Sequence, residues 1–470
     1  MNKTNALIKN TLIISIGKVC TQCISFFLLP LYTMLLSTED YGIVDLVVTY
    51  VQLLVPIVIL QMDQALFRFL VLEREHHEGK KTCISTVFIF LTTQVLIVCV
   101  IGFFVLYAFD NKYIFYLCIT LVVSCMLNMG LQMARGIGDN ITYAVASFLC
   151  TLVTLILNVL FIVGFRMKAE GMLLAGIFGN AVAFLYIFLK DKIYKYFEIR
   201  EFDIKTFKGM LKYALPLIPN ALIWWIINAS DRSIVLFFLG PSTNGILAIA
   251  HKIPEIVTII YNIFHISWTE SAALHLKSAD RDEFFSNVFD VVYRLFVAMC
   301  IGIIAVVPFV FHVINQQYEA AFYQIPIYVL AALFNVVAGL YSVVYISEMK
   351  TNEIMKTSLW SGIINIIVHL GLINYIGLYA ASISSALSFM VMAIYRAFDI
   401  RKYIRQKVNV RVLISSGMAF SVVMVLFYMK SNALNIVSLI IALVYSLWIN
   451  YNTLHKLAVG VLKKIKKGNE

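Results

Sequence analysis

Residues 213–270 read YALPLIPNALIWWIINASDRSIVLFFLGPSTNGILAIAHKIPEIVTIIYNIFHISWTE and form two hydrophobic segments joined by a short turn that contains Gly and Pro. A hydrocarbon core about 30 Å thick needs about 20 apolar residues per helix, so each segment is long enough to cross a membrane. Charged residues nevertheless lie inside both: Asp231 and Arg232 in the first, Lys252 and Glu255 in the second. A charge at the centre of a bilayer helix costs roughly 2.5 to 3.5 kcal/mol on insertion scales, so it normally faces a cavity or a partner. We therefore expect this pair of segments to carry part of a functional site.

The rest of the chain has the same apolar character. Of its 470 residues, 61% are hydrophobic and 13% are charged, which is far from a soluble globular composition and typical of a polytopic membrane protein. The net charge of +11 does not indicate nucleic-acid binding, because the basic residues occur in short segments between apolar stretches.

Fourteen stretches are long and apolar enough to be transmembrane helices, and the sequence therefore predicts an all-α membrane protein. They cover residues 11–36, 41–70, 83–109, 113–134, 141–165, 171–189, 213–239, 245–269, 288–313, 322–347, 357–374, 377–397, 411–429 and 433–453.

The distribution of basic residues predicts the orientation of these helices, because cytoplasmic segments retain Lys and Arg. If the N-terminus is inside, 28 of the 37 basic residues fall in cytoplasmic segments and 4 in external loops. Residues 190–212 hold seven of the 28, and residues 396–411 hold six. We expect both termini to be cytoplasmic.

A weak internal repeat suggests how the helices are grouped. The turn at 36–44 aligns with the turn at 239–247 at an offset of 203 residues, where a repeat of six spans would place it. The expected organisation is an N-terminal six-helix bundle, a cytoplasmic linker, a C-terminal six-helix bundle, and helices 13 and 14 with a basic cytoplasmic tail. These parts cover residues 1–189, 190–212, 213–397 and 398–470, respectively. The linker is amphipathic and basic, which fits either a helix on an anionic leaflet or a solvated connection.

Four basic residues within the first, second, seventh and eighth spans are candidate substrate ligands: Lys18, Arg68, Arg232 and Lys252. Arginine can bind a phosphate through its planar fork, and lysine through a point charge. The alternative for Arg232 and Lys252 is an internal ion pair with Asp231 or Glu255, since Lys252 and Glu255 lie three residues apart on one helical face. Arg68 is near the cytoplasmic end of its span, where an interface anchor is the alternative.

Acidic residues in the same spans are candidates for ion pairing or for coupling to an ion or proton: Asp45, Asp63, Asp231, Glu255 and Glu270. Two aromatic positions, Trp224–Trp225 and Trp268, could stack on sugar rings.

Enzymatic functions are not supported by the sequence. It contains no G-x-x-x-x-G-K-[ST] phosphate-binding loop and no H-E-x-x-H zinc motif. The predicted external loops are too short to hold a catalytic domain. We expect a protein that is not an enzyme, with no cofactor and no metal site.

Several local features together resemble one family. Tyr213-x-x-Pro216, Asp231-Arg232, the turn that ends at Gly245-Ile246, and Lys252-Ile-Pro254 fall within a plan of six, six and two spans. This pattern resembles the Wzx-type bacterial polysaccharide flippases of the multidrug/oligosaccharidyl-lipid/polysaccharide exporter superfamily.

The resemblance implies a MATE-like fold, with two six-helix bundles around a central cavity, and alternating access as the mechanism. The implied substrate is an undecaprenyl-diphosphate-linked oligosaccharide, moved from the cytoplasmic to the outer leaflet of the bacterial cell membrane. A cationic cavity would receive the diphosphate, with Lys18, Arg232, Lys252 and Arg68 as the matching candidates. The implied partners are this lipid-linked oligosaccharide, membrane lipids, and a polysaccharide polymerase or glycosyltransferases, with no nucleic acid.

Two other functions remain open at the level of sequence. A cation-coupled multidrug exporter of the same fold would be expected to have a predominantly acidic cavity, and the numbers of acidic and basic residues in the relevant spans do not decide the question. A membrane glycosyltransferase or polymerase usually needs a sizeable external loop, and none is predicted.

Overall fold

The structure of the chain is a computed structural model that describes residues 28–73, 75–276, 278–348 and 350–468. Within these ranges all regular structure is helical, and twelve stretches are long and apolar enough to cross a membrane. The all-α, polytopic fold predicted from the sequence is confirmed.

Sixteen α-helices follow one another along the described chain, labelled here in chain order. They are α1 (Leu29–Leu35), α2 (Thr38–Val58), α3 (Met62–Leu72), α4 (His77–Phe109), α5 (Lys112–Ile137), α6 (Asn140–Asn158), α7 (Ala169–Lys190), α8 (Ile193–Tyr196), α9 (Ile204–Ala214), α10 (Leu217–His275), α11 (Arg281–Val310), α12 (Glu319–Ser347), α13 (Thr351–Ile376), α14 (Tyr379–Asp399), α15 (Val410–Tyr428) and α16 (Asn432–Gly468). A six-residue π-helix, Val159–Gly164, continues α6.

The difference between fourteen predicted spans and twelve candidate spans has two causes. Most of the first predicted span, 11–36, lies outside the described residues. The seventh and eighth predicted spans are counted together in α10, because Gly240 is the residue that departs from helical geometry between them and helix continues on both sides. Gly240 has φ 84° and ψ 174°, a conformation that only glycine adopts readily. The count of fourteen stays a prediction.

The chain divides into two compact units, residues Met1–Ser233 and Ile234–Glu470. In the first unit, helices α2 to α7 pack around one hydrophobic core in which Met62, Leu66, Met129 and Met133 are fully buried. The closest packing partner of α3 is α5, and α6 packs along α7. This core positions the residues on α2 and α3 that are discussed below. The division predicted from the repeat, at 189 and 213, stays a prediction.

Helix α9 is the amphipathic part of the predicted linker. Its apolar side packs on α3 and α4, with Met210 and Ala214 buried and the ring of Phe207 5.7 Å from that of Phe90. Asp203 caps the helix by accepting hydrogen bonds from the backbone N–H groups of Lys205 and Thr206. The protein itself therefore covers the apolar face of this helix.

In the second unit, α14 packs between α12 and α13, and α11 packs against α15 and α16. Arg396 of α14, which the sequence analysis counted in the cytoplasmic segment 396–411, lies in the protein interior. Its side chain is only 3% exposed and donates hydrogen bonds to Thr357 Oγ1 and Ser358 Oγ of α13 and to the carbonyl of Ala338 in α12. It is a buried contact among three helices, because a guanidinium shielded from water must find acceptors within the protein.

Candidate functional site

The first unit holds a cluster of polar and aromatic side chains where α2 meets the beginning of α10. Arg232 Nε lies 2.7 Å from Asp45 Oδ2, and the two side chains are 19% and 16% exposed, respectively. Both charges are thus largely removed from water. Such a pair persists only when the geometry is good, because each ion loses its hydration.

Each helix presents its part of the cluster on one face. Asp45 and Thr49 are four residues apart on α2, while Trp225 and Arg232 are seven apart on α10, and both spacings place side chains on the same side of a helix. Trp225 Nε1 donates a hydrogen bond to the carbonyl oxygen of Thr49 at 2.9 Å. The segments therefore run antiparallel along this contact.

Tyr50 completes the cluster. Its ring centroid is 6.4 Å from that of Trp225, and its hydroxyl lies 3.3 Å from Ser233 Oγ. The cluster thus combines an ion pair with two aromatic rings, and it is the kind of surface that can bind an anionic group beside a sugar ring.

The local sequence explains why α2 starts where it does. Ser37 accepts a hydrogen bond from the backbone N–H of Asp40 and caps the helix, and Glu39 and Asp40 in the first turn complement its dipole. These signals define where α2 begins.

Asp231 and Asp63 are the other predicted acidic residues of this unit. Asp231 is 4% exposed and makes contacts of its own. Asp63, in the first turn of α3, is 7% exposed, and its Oδ2 accepts a hydrogen bond from Gln64 Nε2 at 2.8 Å. Arg68, also on α3, has an exposed side chain.

Lys252 and Glu255 lie in the second unit and pair with each other as their spacing predicts. Lys252 Nζ is 3.7 Å from Glu255 Oε2, and their side chains are 38% and 47% exposed. Lys18 lies outside the described residues, and the side chain of Glu270 is not among those described. The roles assigned to all these residues stay predictions.

Sequence reasoning named Arg232, Asp45 and Trp225 separately but did not bring them together. It missed Thr49 and Tyr50. Thr49 could have been found, because a polar residue one turn after Asp45 in an otherwise apolar helix lies on the same face as Asp45. The partner of Arg232 is 187 residues away in the chain, so no local pattern could reveal it.

The sequence matches one family model, and the fold is similar to that of several solved structures. Residues 7–268, more than half of the chain, match the family described as polysaccharide biosynthesis protein. No curated protein matches the sequence.

Three solved structures illustrate the likeness in fold. The lipid II flippase MurJ in an inward closed conformation has a TM-score of 0.70 at 13% identity, covering 95% of this chain and 100% of that one. An inward-facing MATE-family multidrug resistance transporter has a TM-score of 0.66 at 13% identity, covering 83% and 98%. A transporter of the same superfamily from Pyrococcus furiosus has a TM-score of 0.57 at 14% identity, covering 84% and 95%. The predicted MATE-like fold is therefore confirmed.

Proposed function

Because the chain belongs to the polysaccharide biosynthesis protein family, we propose that it flips undecaprenyl-diphosphate-linked oligosaccharide repeat units across a bacterial cell membrane. The movement runs from the cytoplasmic to the outer leaflet by alternating access and serves the export of surface polysaccharide. The twelve candidate spans found among the described residues make the chain a multi-pass membrane protein. The proposed orientation, with both termini cytoplasmic, is supported by the 28-to-4 distribution of basic residues.

The Asp45–Arg232 pair is the observation that carries the proposal. Asp45 contacts Arg232 through Nε, and the guanidinium fork matches the oxygens of a phosphate. A diphosphate carries more negative charge than one carboxylate, so it can compete with Asp45 for this cation in a site of low dielectric. When Asp45 binds Arg232 again, it helps to release the diphosphate.

Lys252 is the second proposed cation. Its pair with Glu255 is half-exposed, and exposed pairs contribute at most about 1 kcal/mol, so Lys252 can leave Glu255 at little cost. Lys18 and Arg68 complete the proposed set of cations. The rings of Tyr50 and Trp225 are proposed to contact sugar.

The test is translocation of a lipid-linked oligosaccharide in proteoliposomes, scored by its accessibility to an external sugar-modifying probe. We expect Arg232→Ala and Lys252→Ala each to lower the rate at least about tenfold, which corresponds to about 1.4 kcal/mol. Arg401→Ala, which removes an exposed arginine, is the matched control and should transport normally.

Normal translocation by both alanine variants would contradict the cationic site. If the wild type moved no lipid-linked oligosaccharide but exported organic cations down an ion gradient, the chain would instead be a cation-coupled multidrug exporter of the same fold. Co-purification with a polysaccharide polymerase or with glycosyltransferases would identify the proposed protein partners.

A further inference from the structure

One end of the second unit contains a cavity that the proposed function does not use. It has a volume of about 350 Å³ and lies where α11 ends, α12 begins, α15 ends and α16 begins. Ligand sites in proteins usually measure about 300 to 1,000 Å³, so the cavity is large enough for a small ligand. Residues 314–321 and 430–432, which border it, lie between predicted spans on the predicted outer side of the membrane. Six polar residues of the described chain line the cavity: His312, Asn315, Gln316, Glu319, Lys430 and Asn435.

Aromatic contacts hold the walls of this cavity in place. The ring of Phe322 stacks on that of Phe427 with 4.2 Å between their centroids, and the ring of Phe311 meets Phe322 edge-on at 5.2 Å. Tyr428 donates a hydrogen bond through its hydroxyl to the carbonyl oxygen of Tyr323 at 2.8 Å. These contacts attach the start of α12 to the end of α15. The cavity is therefore formed before a ligand enters it, as is usual for ligand sites.

The charges of the cavity cancel each other. Lys430 and Glu319 are the charged side chains that line it within the described part of the chain, and Lys430 Nζ lies 2.8 Å from Glu319 Oε1. With His312 neutral, the lining has no excess charge. Sites for phosphate groups use cationic side chains that bind the anion directly, so a neutral ligand fits this lining better.

The neutral polar residues supply both hydrogen-bond donors and acceptors. His312 Nδ1 lies 2.8 Å from the carbonyl oxygen of Pro308. Because a carbonyl only accepts, Nδ1 carries the proton, and Nε2 of the neutral ring can accept a bond from a ligand. Asn315 Oδ1 accepts a hydrogen bond from the backbone N–H of Gln317 at 3.0 Å, which leaves the amide nitrogen of Asn315 to donate. The amide of Gln316 can do both.

Asn435 is the buried member of the lining. Its side chain is 7% exposed, and its Oδ1 has no hydrogen-bond partner among the described residues. Its backbone position is fixed early in α16, where its N–H donates to the carbonyl oxygen of Ser431 at 2.8 Å. A buried amide oxygen without a donor is unfavourable, and a ligand hydroxyl would satisfy it.

We propose that this cavity binds one neutral sugar ring. Each sugar hydroxyl both donates and accepts hydrogen bonds, which matches the mixed lining, and the apolar face of the ring can pack against Phe311 and Pro308. A lipid chain would leave the polar residues without partners. The inference deepens the proposed function and rests on it only for the source of the sugar, which is a unit of the transported oligosaccharide.

The experiment measures saturation-transfer difference NMR of free sugars with the full chain in nanodiscs. The probes are D-glucose, D-galactose, N-acetyl-D-glucosamine and L-rhamnose, and D-glucuronate serves as the anionic comparison. Because a ligand of this size makes few contacts, we expect at least one neutral sugar to give a saturable signal with a Kd of about 1 to 10 mM. Glucuronate should give a weaker signal, since the cavity has no excess positive charge.

Asn435→Leu removes the amide at similar volume, and it should lower the signal of the neutral sugar at least about twofold. Gln316→Ala should lower it in the same way, and because Gln316 is exposed, this variant also tests the proposal if Asn435→Leu does not fold. Asn352→Leu makes the same chemical change at an exposed position at the start of α13, outside the cavity lining, and should bind sugar like the wild type.

Translocation of the lipid-linked oligosaccharide by Asn435→Leu then identifies the source of the sugar. A slower rate assigns it to the transported oligosaccharide, and a normal rate assigns it to a free saccharide.

The proposal is overturned if no neutral sugar gives a signal with the wild type, if glucuronate binds more tightly than every neutral sugar, or if Asn435→Leu and Gln316→Ala both keep the full signal. Sugar binding by a wild type that moves no lipid-linked oligosaccharide would contradict the proposed function alone. Transport without sugar binding would contradict this inference alone.

Discussion

Arg232 and Asp45 stabilise each other while both are largely shielded from water. Removal of one partner from such a pair leaves a buried charge without compensation, which costs about 3 to 5 kcal/mol. The pair is therefore expected to serve stability as well as substrate binding, and the two contributions can be separated by exchanging the charges.

We expect Asp45→Ala and Arg232→Ala each to destabilise the protein by about 3 kcal/mol, with substantial recovery in the Asp45→Arg/Arg232→Asp double variant because the ion pair is restored. Translocation should stay low in the double variant, since the cation has moved to α2. Thermal unfolding and the proteoliposome assay measure the two effects. Full transport by the double variant would show that the position of the cation is unimportant.

A second prediction at this scale concerns Asp191, which follows the last residue of α7. Burial, and next the nearby charge of Asp139, raise the pKa of Asp191 from 3.8 to about 6. The folded state then holds a proton that the unfolded state has released, so stability is lost as the pH rises from about 4 to about 6. Because Asp191 is partly exposed, we reduce the expected effect to about 1 kcal/mol.

Asp191→Asn should remove this loss. Above pH 6 the variant should be more stable than the wild type, while at pH 4 the two should unfold at similar temperatures. Thermal unfolding from pH 4 to 7.5 tests this, with Asp110→Asn as the exposed control. A variant with an unchanged pH profile would contradict the prediction.

At the scale of helices, Arg396 connects α14 to α12 and α13. Among the described residues, its hydrogen bonds all end on neutral oxygens, including the carbonyl of Ile354 at 3.4 Å. Hydrogen bonds to a charged group contribute about 1.5 to 3 kcal/mol. We expect Arg396→Ala to destabilise the second unit by about 3 kcal/mol or more. Arg396→Lys should destabilise the protein less than Arg396→Ala, because lysine keeps the positive charge but lacks the planar guanidinium group.

Arg401→Ala is the control for this prediction. Arg401 is exposed and lies over the ring of Phe398, a contact that contributes about 0.5 to 1 kcal/mol. Comparable losses of melting temperature for Arg396→Ala and Arg401→Ala in detergent would refute a structural role specific to Arg396.

The helices themselves were largely predictable. Predicted spans such as 113–134 and 322–347 lie inside α5 and α12, because a bilayer imposes a length on apolar helices. The break between α2 and α3 at Leu60–Gln61 was not predicted, since neither residue is typical of a left-handed conformation. The interior contacts of Arg396 were not predicted for a related reason: a charge near the end of a span is typical of a loop residue, and its acceptors on other helices cannot be identified from the sequence.

At the scale of the whole molecule, the distribution of basic residues predicts the membrane topology, with both termini cytoplasmic. We expect alkaline phosphatase fused after Lys430 to be active, because that loop is predicted to be external, and the same enzyme fused after Tyr403 or at the C-terminus to be inactive. Green fluorescent protein should give the opposite result. Activity of phosphatase at the C-terminus would contradict the proposed orientation.

The buried position of Arg396 also affects how the chain is made. Among the twelve candidate spans of the described residues, its helix α14 is the least apolar, and it buries Ser382, Ser384, Ser385 and Ser388 in addition to the arginine. A segment of this composition gains little by leaving the translocon for lipid on its own. Helices α12 and α13 precede it in synthesis and carry its hydrogen-bond acceptors, so we expect α14 to enter the bilayer by docking onto these two helices. On this expectation, the order of synthesis contributes to the burial of this arginine.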